Sequence, residues 1–285
     1  MLSRRWLINF GLLTLIIVFT YIGNRYDVET GFNPANRITT LNAGDINSVS
    51  IKTANESLDL QRISGSWHIT SPIRWPANNI NVERMLNITR VETESRLPAA
   101  EIDLATVGLQ FPRAMLQLND TSILFGGTNN VGNRRYAMID STVYLLSDLH
   151  LPFISQGLLG IVDRRLLPAS EKLESLKLPE YELTRSDNGA WRIIDSGLFS
   201  SDKLNNLVDN WQGLQASQVK IYDGGSTPRQ KVIARLGDGR RLEFYVVSIS
   251  PEIIIAHPQI GLQYHFNESY YYQLLSLRDD ENTEN

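Results

Sequence analysis

The feature that most restricts the fold of this chain is a unit that occurs twice, about 120 residues apart. In the first copy residues 58–62 are followed by Trp67, and in the second copy residues 181–185 are followed by Trp191. Each copy has a glycine just before its tryptophan, a pattern typical of two strands joined by a tight turn. The repeat therefore predicts two similar β-hairpins, each with a tryptophan that opens its second strand.

A helix is expected after each hairpin. In the second copy five apolar residues lie at helical spacing: Leu204, Leu207, Val208, Trp211 and Leu214. In the first copy Val82, Met85 and Leu86 match the first three of these at a constant offset. Residues 78–79 and 200–201 are asparagines and serines, and we expect them to supply the N-caps.

Two later segments complete the repeat. Residues 118–125 parallel residues 236–244, and an aspartate in each turn predicts a second hairpin. Tyr144 and Tyr264, 120 positions apart, then fall in corresponding apolar segments. We therefore expect an α+β fold, in which an N-terminal transmembrane helix precedes two similar modules, each an antiparallel sheet with a packed helix.

The transmembrane helix is predicted from residues 6–23, which contain no charge and follow Arg4 and Arg5. A helix of that length spans roughly 27 Å, close to the thickness of the bilayer core. Positive residues favour the cytoplasmic side, so the N-terminus is expected inside and the rest of the chain outside. A cleaved signal peptide and a buried helix of a soluble protein are the alternatives. Bulky Tyr21 and Ile22 disfavour cleavage, which requires small residues.

These patterns divide the chain into six parts. The predicted order is a cytoplasmic N-terminus at residues 1–5, the transmembrane helix at 6–23, a tether at 24–40, module 1 at 41–165, module 2 at 166–277 and a disordered acidic tail at 278–285. The tether and the tail are assigned from their polar composition. The lipid bilayer is the expected partner of residues 6–23.

Composition excludes several classes of function. The chain has no cysteine, which excludes disulfides, thiolate catalysis and cysteine-ligated metals. Its formal net charge is −4, and a mildly acidic body argues against nucleic-acid binding and against broad docking on anionic lipid. We therefore expect no nucleic-acid partner.

No pattern in the sequence indicates a catalytic or metal site. The four histidines do not have the spacing of a zinc protease: they are His68, His150, His257 and His265. The nucleophile patterns G-x-S-x-G and S-x-x-K do not occur. Carboxylates are numerous but scattered, which leaves open a hydrolase with a carboxylate pair. The sequence predicts a non-enzyme with no catalytic, cofactor-binding or metal-binding residues.

Other unusual residues have structural interpretations. Gly126-Gly127 and Gly224-Gly225 are expected in turns, because neither is followed by the G-K-[ST] of a phosphate loop. Arginine pairs at 134/135, 164/165 and 240/241 are expected at solvated strand edges or loops, with an anionic ligand as the alternative. Three consecutive tyrosines, residues 270–272, predict a packed terminal element or an interface. Trp67, Trp191 and Trp211 are expected in the core.

Several of these residues together resemble a bacterial family of domains of unknown function. The resemblance covers most of residues 40–275 and is carried by Trp67, Ile69, Pro72, residues 79–86, Leu104, Gly108, Leu109, Tyr136 and Tyr144. The second copy lacks the proline and the Gly-Leu pair. Members of that family are typically anchored by one N-terminal helix and are often encoded beside gliding-type ABC transporter components.

The resemblance implies a compartment and a partner. The chain is expected in the bacterial inner (cytoplasmic) membrane, with its bulk in the periplasm, as an accessory or scaffold subunit of an ABC-type assembly with a non-catalytic binding role. The alternatives are an envelope hydrolase with a carboxylate-based site and a free-standing structural envelope protein. The resemblance carries no catalytic residue or cofactor to this chain.

Overall fold

Two antiparallel sheets make up the fold in a computed structural model that describes residues 36–93, 95–129, 132–194, 199–225 and 230–277. The first sheet has nine strands within these residues: β1 Ser48–Thr53, β2 Ser57–Ile63, β3 Ser66–Ser71, β4 Trp75–Pro76, β5 Arg96–Pro98, β6 Ala114–Leu118, β7 Thr121–Asn129, β8 Arg134–Ile139 and β9 Thr142–Ser147. The second has eight within the same residues: β10 Leu173–Lys177, β11 Glu182–Arg185, β12 Trp191–Ile193, β13 Gln218–Ile221, β14 Gln230–Leu236, β15 Arg241–Ser248, β16 Glu252–His257 and β17 Leu262–Asn267.

The two sheets share one strand order. The first is ordered β4-β3-β2-β1-β6-β7-β8-β9-β5, and the second is ordered β12-β11-β10-β14-β15-β16-β17-β13. When β4 is set aside, every strand of the first sheet has a counterpart at the same place in the second. The register also corresponds, because Trp67 lies opposite Arg62 and Trp191 lies opposite Arg185.

Five short helices connect or cover the strands of the described residues: α1 Asn79–Leu86, α2 His150–Ile154, α3 Gly157–Ile161, α4 Ser201–Gly213 and α5 Tyr271–Leu274. The predicted N-caps are confirmed for α1 and α4. The Asn78 side chain accepts from the N–H of Asn81, and the Ser200 side chain accepts from the N–H of Lys203. The predicted apolar faces are buried in both helices: Val82, Met85 and Leu86 in α1, and Leu204, Leu207, Val208 and Trp211 in α4.

The α+β class predicted from the sequence is wrong, because the described residues form two broad sheets with few helices. Eight strands spaced about 4.8 Å apart make a sheet roughly 38 Å wide. The 13 residues of α4 extend only about 20 Å, so one helix covers part of such a sheet and does not form a layer.

The predicted transmembrane helix at residues 6–23 lies outside the described residues. Within the described ranges, no helix is long and apolar enough to cross a membrane.

The described end of the predicted tether packs on the first sheet's loops. Ile38 is buried, and its N–H donates to the carbonyl of Val91 at 3.1 Å. The Arg37 guanidinium donates twice to the carbonyl of Thr89, at 2.6 and 3.1 Å. Residues 36–40 therefore belong to the folded part of the chain.

A connector at residues 161–165 joins the sheets through backbone pairing. Val162 forms a bridge with Ala77, just after β4, and Arg165 forms a bridge with Gln215, just before β13. The N–H of Asp163 also donates to the carbonyl of Pro76 at 3.1 Å. Because β4 is an edge strand of the first sheet and β13 an edge strand of the second, the connector positions the two edges relative to each other.

Candidate binding groove between the two sheets

A groove of about 540 Å³ lies where the two sheets meet. We call it, together with the smaller adjoining cavity described next, the inter-sheet groove. The side contributed by the first sheet includes Gln61, Ile63, His68, Thr70 and Arg74, and the opposite side is formed by Pro168, Ser170, Glu171 and Arg240. The volume falls in the range of sites that hold small ligands or side chains.

An adjoining cavity of about 340 Å³ extends the groove along the connector. It shares Ile63, His68, Pro76 and Ser170 with the larger cavity and adds Asp163 and Arg165. Local sequence explains one wall: residues 64–65 have positive φ and form the β2–β3 turn. That turn leaves Ile63 48% exposed at the groove's rim, which is unusual for an isoleucine.

The acidic groups of the groove are held by arginines. Asp163 is buried and accepts from the backbone N–H and the guanidinium of Arg165, with a shortest distance of 2.6 Å. These hydrogen bonds raise the pKa of Arg165. Glu171 accepts from Arg240 at 2.5 Å, and Arg240 also donates to Asp238. The two carboxylates that line the groove are therefore engaged in internal ion pairs.

Arg74 differs from these paired carboxylates. It lines the groove, is exposed, and forms no ion pair with any side chain in the described ranges. Exposed Gln61 and half-buried Thr70 add polar groups on the same side. The groove thus offers a cation, hydrogen-bonding groups and the apolar Ile63 to a ligand.

Behind the groove, aromatic rings connect the two sheets. Trp75 of β4 packs edge-on against His257 of β16, with ring centroids 5.1 Å apart. His257 packs in turn on Phe244 at 4.6 Å, and Phe244 packs on Trp211 of α4 at 5.4 Å. The indole N–H of Trp211 donates to the carbonyl of Leu274 at 2.7 Å. This row of rings fixes the first sheet's edge against the second sheet.

Polar atoms are buried in that row and beside it. Both ring nitrogens of His257 lack a hydrogen bond to any described residue. The hydroxyl of Tyr264, on the neighbouring strand β17, is buried close to the indole N–H of Trp75. Burial lowers the pKa of His257 to about 4, so the imidazole is neutral at neutral pH. Burial also raises the pKa of Tyr264, and the charge of nearby Asp163 acts in the same direction.

The family comparison covers part of each sheet. A family model described as a domain of unknown function, DUF4340, matches residues 67–235, from β3 of the first sheet to β14 of the second. The chain belongs to the DUF4340 family. No curated protein and no solved structure matches it. The DUF4340 match confirms the expected type of family and includes the connector and most of the groove.

The histidines of this DUF4340 chain are dispersed. His68 lines the groove, whereas Trp67 beside it is buried in the core, as predicted. His257 and His265 lie on opposite faces of the second sheet, and the carboxylate of Glu252 accepts a 2.9 Å hydrogen bond from Nδ1 of His265. Burial lowers the pKa of His150. Among the described residues, no three histidines, aspartates or glutamates are grouped as metal ligands.

The structure corrects the interpretation of Gly126-Gly127. This pair lies inside β7 and not in a turn. A Cβ on Gly126 would lie 2.5 Å from the carbonyl oxygen of Val107, so glycine is required by the close approach of the 107–109 loop. Gly224, by contrast, has φ of +75° and lies in a bend, as the sequence predicts.

The two arginines of each pair also differ in their surroundings. Arg134 is exposed, but Arg135 is buried and forms a bidentate ion pair with Asp148 at 2.5 and 2.7 Å. The prediction of a solvated position is therefore wrong for Arg135. Arg165 holds Asp163 and Arg240 holds Glu171, so one member of each remaining pair belongs to the groove.

Sequence reasoning missed the residues that form the junction. Trp75, Asp163 and His257 are separated by more than 80 positions from one another in the chain, and none belongs to a recognised motif. One signal was available in the sequence. Trp75 lies between Arg74 and Pro76 in a polar segment and fits neither a helical nor a strand periodicity, which marks it as a residue with a long-range contact. For the DUF4340 chain, the groove emerges only when both sheets are assembled.

Proposed function

We propose that this protein is a membrane-anchored, extracytoplasmic accessory or scaffold subunit of an ABC-type membrane assembly, and that its inter-sheet groove binds a segment of a partner protein. The role is non-catalytic. The observation that carries the binding role is the construction of the groove from both sheets, with its carboxylates Asp163 and Glu171 each held by an arginine.

The groove chemistry supports a protein segment as the ligand. Ile63 offers an apolar contact, and Gln61, Thr70 and Ser170 offer hydrogen-bonding groups. Arg74 offers a guanidinium that can bind a carboxylate or a backbone carbonyl. Arginine and exposed apolar residues are typical of surfaces that bind proteins.

Anchoring and partner choice are supported by the sequence. Residues 6–23 are uncharged and follow Arg4 and Arg5, which favours an anchor with the folded part outside the cytoplasm. The resemblance to anchored proteins encoded beside ABC transporter components supports the choice of assembly. Belonging to the DUF4340 family is compatible with both points.

Affinity purification of the full chain from detergent-solubilised membranes tests the proposal. ABC-type membrane components should be recovered with the wild-type chain. Their recovery should fall several-fold with Arg74→Glu and with Ile63→Glu, because both changes alter the groove without removing an internal ion pair.

The matched control is Arg192→Glu, an exposed charge reversal on the edge strand β12. It should leave partner recovery unchanged. Recovery of no ABC-type component with the wild-type chain would refute the assembly. Equal loss with all three variants would refute the groove as the binding site.

A further inference from the structure

The two most exposed large apolar side chains of the described residues lie at one end of the first sheet. Phe111 is 84% exposed and precedes β6, whereas Leu149 is 76% exposed and follows β9. Antiparallel pairing places the start of β6 and the end of β9 at the same end of the sheet, since β7 and β8 lie between them. An exposed aromatic ring and an exposed leucine at the same end of one sheet are candidates for a shared interaction surface.

Two arginines stand at the same end. Arg113 directly precedes β6, and Arg134 opens β8 opposite Ser147 of β9. Both are exposed, and neither forms an ion pair with a described residue. To the side chains of the described residues, the Arg134 guanidinium makes one long hydrogen bond, to the hydroxyl of Ser95 at 3.5 Å. We call Phe111, Arg113, Arg134 and Leu149 the proximal surface.

Three carboxylates of the described residues have internal partners. Asp148 is held by the buried Arg135. Glu56 accepts from the backbone N–H of Leu158 at 3.0 Å. Asp103 accepts from its own loop at Ala105 and Thr106. Among the described residues, Arg113 and Arg134 thus have no carboxylate partner and can bind an anion, although the whole chain has a net charge of −4.

The N-terminal part of the chain joins the fold at this end. The carbonyl of Asn36 accepts from the N–H of Thr93 at 2.9 Å, and its side chain accepts from Arg96, the first residue of β5. Only residues 24–35 separate this point from the apolar segment that ends at residue 23. Twelve residues reach at most about 43 Å.

We infer that the proximal surface rests on an anionic phospholipid bilayer, with Phe111 and Leu149 in the headgroup region and Arg113 and Arg134 on lipid phosphates. The inference rests on the proposed anchoring through residues 6–23. Aromatic residues and arginines are the side chains that favour the membrane interface. The contact fixes which way the inter-sheet groove faces.

The absence of cysteine makes a direct experiment possible, because single cysteines can be added at chosen sites. The full chain carrying Phe111→Cys, Leu149→Cys or Asp120→Cys is labelled with an environment-sensitive fluorophore and reconstituted in vesicles of phosphatidylcholine and phosphatidylglycerol. Asp120 is the control, since it is exposed in the β6–β7 turn at the opposite end of the sheet. Nitroxide lipids then report contact with the bilayer by quenching.

Quenching is expected to be several-fold stronger at positions 111 and 149 than at position 120. The double variant Arg113→Gln, Arg134→Gln should lower the equilibrium constant for contact between the proximal surface and the bilayer by about 25-fold, because each arginine contributes about fivefold. Equal quenching at all three positions, or no effect of the arginine changes, would overturn the inference. Alkaline extraction of the same vesicles separates the two proposals: release of the chain refutes the anchoring, whereas retention with equal quenching refutes only the proximal contact.

Discussion

Trp75 of the first sheet packs edge-on against His257 of the second, with 5.1 Å between ring centroids and 83° between ring planes. These two residues are far apart in the chain and both are buried. Their contact lies directly behind the inter-sheet groove, which Trp75 also lines. Weakening this contact is therefore expected to disturb the wall of the groove that Trp75 forms.

Acid should weaken the contact through His257. Its pKa is lowered by burial to about 4 in the folded chain, against about 6.5 when unfolded. The unfolded state binds more protons between these values, so stability falls as pH drops from about 6.5 to about 4, by up to about 3 kcal/mol. Denaturant unfolding of the full chain in detergent at several pH values measures this slope. His257→Phe should show a shallower slope in that window, and an unchanged slope would contradict the assignment.

Trp211 should be a larger contributor to stability than Trp191. Trp211 is fully buried, packs on Phe244 and donates a hydrogen bond to Leu274, whereas Trp191 is only half-buried. Trp211→Ala should cost about 3–5 kcal/mol of unfolding free energy. Trp191→Ala serves as the comparison and should cost clearly less. Equal losses in denaturant midpoint would contradict the larger contribution assigned to Trp211.

The ion pair of Arg135 and Asp148 should be essential to the first sheet. Removing one partner leaves the other charge buried, since Arg135 exposes only 7% of its side chain. Asp148→Asn should therefore destabilise by about 3–5 kcal/mol. The neighbouring exposed Arg134→Gln should change unfolding by less than about 0.5 kcal/mol. A tolerated Asp148→Asn would mean that water reaches Arg135.

Gly126 should not accept a side chain. A Cβ there would lie 2.5 Å from the backbone oxygen of Val107, so Gly126→Ala must move the 107–109 loop. Overpacking of this kind costs about 1–3 kcal/mol. Gly44→Ala is the matched control, because a Cβ at that position would have no described atom within 4 Å. Thermal unfolding that ranks the two variants equally would contradict the close approach.

The sequence predicts structure well where the signal is a periodic apolar pattern or a local capping residue. The spacing of Leu204, Leu207 and Trp211 identified α4 and its buried face, and Asn78 and Ser200 were identified as caps. These features depend on contacts between near neighbours in the chain. The predicted fold class is wrong because short strands such as β4 and β5 have only two and three residues. That is too few for alternation to be visible, so the sequence does not reveal how many strands each sheet contains.

The groove could not be predicted, because its residues meet only through long-range contacts. Arg240 reaches Glu171 across 69 positions, and Asp163 reaches β4 through the backbone of the connector. Nor does the sequence distinguish Arg134 from Arg135, since the alternation of β8 alone decides which one is buried. The contacts of these residues can therefore be identified only in the assembled sheets.

The most direct test of the proposed binding role is photo-crosslinking in intact membranes from a light-activated amino acid placed at position 74, in the groove. Placement at position 192, on the exposed edge strand β12, is the control. The proposal predicts that position 74 forms a discrete adduct with an ABC-type membrane component and that position 192 does not. Absence of such an adduct at position 74, or identical adducts from both positions, would contradict it.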